Sequence, residues 1–126
     1  MDPLHHGRLA QRYKVRTTPI QWNVITKGRV ATSSRLKRAD AAIIEVSVIG
    51  AAIVATDRQL VPLGARVQIF WGGMTGWVRI RRAARYPGSA DLVLFGVEYD
   101  EPNSPIGAAI FAALVSEPES ADVPSA

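Results

Sequence analysis

The sequence predicts a mainly β domain, an antiparallel sandwich or barrel that ends in a short α-helix. Apolar and polar residues alternate in several short runs between residues 20 and 99, and turn residues separate these runs. Alternation with a period of two indicates strands that each bury one face. After residue 103 the apolar residues recur at helical spacing instead. With 126 residues and 48% hydrophobic content, the chain has the size and composition of one packed domain.

Glycine, proline and serine mark the connections between the predicted strands. Leu63-Gly64 closes one turn, Gly72-Gly73 is typical of a hairpin, and residues 86–89 form a third turn. Residues 27–40 are basic and rich in Ser and Thr, which indicates a long loop or an irregular hairpin. Closing the sheet into a barrel would remove exposed strand edges. In chain order, we predict strands at residues 20–25, 41–46, 50–55, 66–71, 76–85 and 92–99.

The predicted helix begins after Asn103. Ser104 is a capping residue, and Pro105 occupies the first helical position, where its missing N–H costs nothing. Ile106, Ile110 and Leu114 then recur every fourth residue and form one apolar stripe. We therefore predict a helix over about residues 104–116 that plugs or flanks the barrel.

Charge is unevenly distributed along the chain, although the net charge is only +4. Up to Asp40 there are nine Lys/Arg and two acidic residues, whereas from Asp91 onward there are seven acidic residues and no Lys or Arg. Such a chain can bind an anion at one end without being a general polyanion binder. Composition also predicts a flexible basic arm at residues 1–16, a domain at 17–116 and a disordered acidic tail at 117–126.

Several classes of protein are disfavoured. The chain has no cysteine, which excludes disulfides, thiolate metal sites and cysteine nucleophiles. It lacks an apolar run of membrane-span length and the core of a signal peptide, so we expect a cytoplasmic protein. We find no Ser–His–Asp set, no phosphate-binding loop and no carboxylate pair suited to acid–base catalysis, so neither an enzyme nor a bound cofactor is expected. His5-His6 has no further ligands nearby and does not indicate a metal site.

Two motifs occur in order along the chain. Arg8, Arg12 and Arg16 are spaced four apart near the N-terminus, giving R-x-x-x-R twice. Further on, Glu45, Ser47 and Gly50 form an acid-x-Ser-x-x-Gly turn within the apolar run AAIIEVSVIGAA. This order, with FGVEY at residues 95–99 and a helix after it, resembles the PilZ domain family, whose usual residue at the position of Glu45 is Asp.

The resemblance implies a six-stranded antiparallel β-barrel with a short C-terminal α-helix, and cyclic di-GMP as the ligand. Arg12 and Arg16 match the family's arginine pair best, because the first predicted strand follows them. The pair Arg8/Arg12 satisfies the same spacing, which makes Arg8 a candidate third contributor. Arginine pairs bidentately with guanine or phosphate. Glu45 and Ser47 would read a guanine edge, and Gly50 would allow the backbone to approach the ligand.

The resemblance further implies a sensor or adaptor whose arm becomes ordered when the nucleotide binds. A partner protein in motility, adhesion or exopolysaccharide machinery would receive the signal. One alternative is a degenerate PilZ-like domain that binds no nucleotide and acts as a protein–protein interaction module. A second is a binder of single-stranded nucleic acid that uses the row of arginines between residues 79 and 85 beside Trp77. The same row could instead be a solvated strand face or part of the ligand wall.

Overall fold

A computed structural model describes residues 11–26 and 36–122 of the chain. Within these residues the chain forms seven strands followed by a helix, all in one sheet-and-helix unit. The elements are β1 (Tyr13–Thr26), β2 (Leu36–Val46), β3 (Gly50–Thr56), β4 (Gln59–Leu60), β5 (Arg66–Trp71), β6 (Met74–Arg85), β7 (Leu92–Tyr99) and α1 (Pro105–Asp122).

Six of the seven described strands close into an antiparallel barrel. The strand order is β2-β3-β7-β6-β5-β1, and β1 pairs again with β2, which completes the ring. The two residues of β4 form an additional strand that pairs with the end of β1. Closure removes the unpaired edges that an open sheet would expose. The prediction of a mainly β fold, a six-stranded barrel with a C-terminal helix, is therefore confirmed.

The alternating sequence pattern places one face of each strand in the barrel core. In β1, Ile20, Trp22 and Val24 are buried, whereas Gln21 between them is exposed. Trp22 is fully buried; its indole N–H donates to Gln59 Oε1 at 2.6 Å, and its ring meets Phe95 edge to face at 5.5 Å. Pairing the only polar atom of this side chain removes the cost of burying an indole N–H.

Helix α1 covers the barrel with the apolar stripe predicted from sequence. Ile106, Ile110 and Leu114 are all buried in the same core cluster as the strand residues. The helix comes close to the barrel at Gly107, where a β-carbon would lie 2.7 Å from the Tyr99 ring. Among the described residues, no helix combines the length and the apolar character that a membrane span requires.

The start of α1 depends on Ser104. Its side-chain oxygen accepts a hydrogen bond from the Gly107 N–H at 3.2 Å, and the residue is buried. We expect Ser104→Ala to lower the free energy of unfolding by about 1 kcal/mol, because the Gly107 N–H loses its partner at a helix N-terminus. Urea denaturation of the variant and of a capping-competent control, Ser104→Thr, measures this effect. Equal stability of the alanine variant and the wild type would contradict it.

Two predicted boundaries differ from the structure. β1 begins at Tyr13 rather than near residue 20, so Arg16 lies in a strand and not in a flexible arm. Tyr13 and Val15 pack against the core while Lys14 and Arg16 are exposed, so this segment alternates despite its basic character. β2 likewise begins at Leu36, within the predicted loop. The added residues of β1 pair with the predicted part of β2, as Tyr13 does with Val46, and the added residues of β2 pair with the predicted part of β1, as Leu36 does with Ile25. This pairing closes the barrel.

The C-terminal boundary also differs. Helix α1 runs to Asp122 and therefore includes residues that composition assigned to a disordered tail beginning at residue 117. The remaining parts of the predicted arm, loop and tail, at residues 1–10, 27–35 and 123–126, lie outside the described residues.

Candidate ligand-binding site

The turn between β2 and β3 is held by Ser47. The Ser47 N–H donates to the Gly50 carbonyl oxygen at 2.9 Å, while the Ser47 hydroxyl oxygen accepts from the N–H groups of Ile49 and Gly50 at 3.2 and 3.1 Å. The residue is buried, and its hydroxyl lies 3.5 Å from the Gly50 carbonyl oxygen. The oxygen of Ser47 is thus already used within the turn, which gives this residue a part in shaping the turn.

Gly50 is required by a close approach between two strands. It pairs with Glu98 of β7, and a β-carbon at Gly50 would overlap the carbonyl oxygen of Val97 and lie 3.1 Å from the α-carbon of Glu98. Gly50 is not among the described residues with a left-handed backbone. The absence of a side chain, rather than an unusual backbone angle, is what β3 needs here.

A groove opens beside this turn on the outer face of the barrel. Its floor consists of small residues, Gly50 and Ala52 of β3 and Gly96 of β7, while Ile53 and Val97 on the same strands are buried in the core. The groove encloses about 120 Å³. Residues lining it also include Arg12, Glu45, Val46, Ser47, Ile49, Ala51, Arg81, Arg82, Val97 and Glu98.

The wall formed by β6 contains a β-bulge. The pairing of β6 with β7 shifts register between Ile80 and Arg82, and Arg82 is paired with Gly96. A bulge redirects neighbouring side chains, and here both Arg81 and Arg82 are exposed and line the groove. Arg81 Nε lies 2.9 Å from Glu98 Oε1 in an exposed ion pair.

Charges around the groove favour an anionic ligand. The residues that line it include three arginines, Arg12, Arg81 and Arg82, and two acids, Glu45 and Glu98. Arg81 and Glu98 largely neutralise each other, which leaves two cationic groups and the half-buried Glu45 for a ligand. A carboxylate between arginines offers an acceptor for N–H donors, while the arginines offer donors to phosphate or to purine acceptors.

The predicted site residues are only partly brought together. Arg12, Glu45, Ser47 and Gly50 all line the groove. Arg16 lies on β1 and is not among the groove-lining residues; its carbonyl oxygen accepts a hydrogen bond from Thr18 Oγ1 at 2.8 Å. The segment containing Arg8 lies outside the described residues.

The β6 and β7 residues of the groove were not among the six predicted site residues, although the arginine row on β6 was one candidate for part of the ligand wall. Strand β7 lies between β3 and β6 in the barrel, and this strand order cannot be inferred from the alternation within each strand. It adds four residues to the lining of the groove: Arg81, Arg82, Gly96 and Glu98. A signal was nevertheless present: Arg81-Arg82 interrupts the alternation of a strand that otherwise buries Val78 and Ile80. Two consecutive polar residues within such a strand are typical of a bulge.

The other two arginines of the basic row are paired within the protein: Arg79 with Asp100, and Arg85 with the Ala90 carbonyl oxygen. Arg66 Nε and Arg79 Nη2 lie 2.5 and 3.2 Å from the two carboxylate oxygens of Asp100. Arg66 also stacks on Trp77, with its guanidinium carbon 4.4 Å from the ring centroid. Hydrogen bonding from Arg66, assisted by the charges of both arginines, lowers the pKa of Asp100 below its usual value. An aromatic face covered by an arginine that an acid neutralises is a poor platform for nucleic acid.

No model of a known protein family matches this chain, and no curated protein is significantly similar to it in sequence.

Proposed function

We propose that this protein binds cyclic di-GMP in the outer groove and acts as a sensor or adaptor. The observation that supports the proposal most strongly is the convergence of Arg12 with Glu45, Ser47 and Gly50 around one groove, although Arg12 is distant from them in sequence. These are four of the six residues for which the sequence suggested nucleotide contacts. An open groove with small residues at its floor and cationic walls suits a flat, doubly anionic ligand.

Glu45 is the proposed determinant of base preference. Its carboxylate accepts hydrogen bonds from the N1–H and N2–H₂ groups of guanine. The side chain is half-buried, and the Ala52 methyl opposite it across the β2–β3 pair leaves space at its side. Adenine presents an acceptor at N1, which would face the carboxylate without a proton between them. Buried polar groups left unpaired in this way account for strong discrimination between related ligands.

Helix α1 is the proposed reporting element. Tyr13, the neighbour of Arg12, meets Phe111 of α1 edge to face, with ring centroids 5.6 Å apart. Tyr99, the neighbour of Glu98, packs against Gly107 of the same helix. Two residues adjacent to groove residues therefore contact α1, and a ligand that orders Arg12 would stabilise one placement of the helix for a partner protein.

Calorimetric titration with cyclic di-GMP and cyclic di-AMP tests the proposal. We expect saturable binding of cyclic di-GMP with a free energy of about −8 kcal/mol or better, which is micromolar affinity. Cyclic di-AMP should bind at least tenfold more weakly, and Glu45→Ala should reduce this preference. Glu45→Asp is the matched control, since it keeps the carboxylate on a shorter stem and should keep the preference. Equal affinities of the wild type for both ligands would contradict the role of Glu45.

A protein-interaction module without nucleotide binding is the second candidate function. It is favoured by Val48 and Ile49 at the tip of the β2–β3 turn, which are 64% and 43% exposed. Adjacent exposed apolar residues beside a charged groove are typical of a protein contact surface. This candidate predicts specific capture of a partner protein that Val48→Ser abolishes, together with no heat on titration with either nucleotide.

A further inference from the structure

We propose that Arg82 is a further ligand-binding residue, which holds an anionic ligand from the side of the groove opposite Arg12. The inference rests on the proposed function, because it assigns a second wall to the same groove. It concerns β6, a strand that carries none of the six predicted site residues.

The two arginines of the bulge differ in what holds them. Arg81 is engaged by Glu98 at 2.9 Å. Arg82 forms no hydrogen bond or ion pair with any residue that the structure describes, although it is exposed and borders the groove. The Arg81–Glu98 pair removes the one groove acid on β7 that would otherwise compete for Arg82. The guanidinium of Arg82 thus remains available to a phosphate or to the face of a base.

The Arg82 side chain lies beside Gly96 of the neighbouring strand. The two residues are directly paired across β6 and β7. A β-carbon on Gly96 would lie 3.4 Å from Arg82 Nε and 3.8 Å from Arg82 Nη2, which is ordinary van der Waals contact. The Arg82 guanidinium is therefore next to the floor of the groove, which Gly96 shares with Ala52.

The arrangement specifies a ligand with two anionic groups. Glu45 lies on β2, and Arg12 directly precedes β1, which pairs with β2. Arg82 lies on β6, which is separated from β2 by β3 and β7. A ligand with a single phosphate can be held by one of these arginines, whereas a cyclic dinucleotide carries two phosphodiesters and can engage both. Arg82 therefore adds affinity for the dinucleotide as a whole.

Calorimetry with cyclic di-GMP on four proteins tests the inference: the wild type, Arg82→Ala, Gly96→Ala and the double variant. We expect Arg82→Ala to weaken binding at least tenfold. Gly96→Ala places a methyl group in ordinary van der Waals contact with the Arg82 side chain and keeps its charge, so it should change the affinity less than about twofold both in the wild type and in the Arg82→Ala background. The atoms near Gly96 belong to a flexible side chain, so these variants should keep the melting temperature of the wild type.

Arg85→Ala is the matched control, because it removes the same charge from the same strand outside the groove. Arg85 donates to the Ala90 carbonyl oxygen in the connection to β7, and we expect its loss to change the affinity less than twofold. If the wild type binds cyclic di-GMP and Arg82→Ala binds as tightly as Arg85→Ala, the role of Arg82 is overturned while the proposed function stands. If the wild type does not bind cyclic di-GMP, both the role of Arg82 and the proposed function are contradicted.

Discussion

Replacing Gly50 with alanine is expected to lower the free energy of unfolding by at least about 3 kcal/mol, the upper range for overpacking a core site. The new β-carbon would overlap the Val97 carbonyl oxygen and press on the Glu98 backbone. These are main-chain atoms of a paired strand and cannot turn aside as a flexible side chain can. Relief requires β3 and β7 to separate, which disrupts the backbone ladder running from Gly50 to Thr56.

Urea denaturation measures this effect, and Gly96→Ala is the matched control. It makes the same change on the opposite strand of the same β-pair, yet the new atom would meet only the Arg82 side chain. We expect the control to stay within about 0.5 kcal/mol of the wild type, as for surface substitutions. A Gly50→Ala protein as stable as the control would show that the strands are not closely packed at this position.

Replacing Arg12 with alanine is expected to weaken cyclic di-GMP binding between about tenfold and a hundredfold. A hydrogen bond from a charged group contributes about 1.5–3 kcal/mol, and each 1.4 kcal/mol corresponds to a factor of ten. Arg12 lines the groove, whereas Arg16 does not. The single variant Arg16→Ala should therefore lose less affinity than Arg12→Ala, although the two share the same sequence motif.

Calorimetry on these two variants distinguishes two predictions. The groove predicts a larger loss of affinity for Arg12→Ala, whereas the R-x-x-x-R motif alone predicts similar losses for both. The Arg12→Ala/Arg16→Ala double variant, predicted from the R-x-x-x-R spacing to abolish binding, completes the set. Melting temperatures provide the control for folding, because Arg16 lies within β1 and contributes to the barrel wall. A larger loss for Arg16→Ala than for Arg12→Ala would mean that the ligand lies outside the groove described above.

The strands could be predicted from sequence where one face is apolar, and less well where the outer face is highly charged. The alternation of Ile20, Trp22 and Val24 indicated β1, but its basic first residues concealed that Tyr13 and Val15 continue the pattern. A strand whose outer face carries many polar residues has a composition similar to that of a polar loop, so the two are hard to distinguish from sequence. The beginning of β2 at Leu36 was missed for the same reason.

The candidate site could be predicted only on the side built from local sequence. Glu45, Ser47 and Gly50 belong to one turn, so their proximity follows from their spacing. Arg82 and Gly96 become part of the site through the position of β7 between β3 and β6, which is a long-range property of the barrel. The sequence also suggested a ligand contact for Ser47, whereas the structure shows its oxygen accepting two backbone hydrogen bonds within its own turn.

Binding of cyclic di-GMP in the outer groove can be tested by titrating the ¹⁵N-labelled protein with the nucleotide and following its backbone amide resonances. If the ligand lies in the groove, we expect saturable shifts at residues 45–52 of the turn and at Arg82, Gly96 and Glu98, with smaller changes in α1 near Phe111. The amide of Gln68, on the far side of the barrel at the Trp77 pair, should not move. Absence of any shift at millimolar ligand, or shifts confined to the face around Arg66 and Trp77, would contradict it.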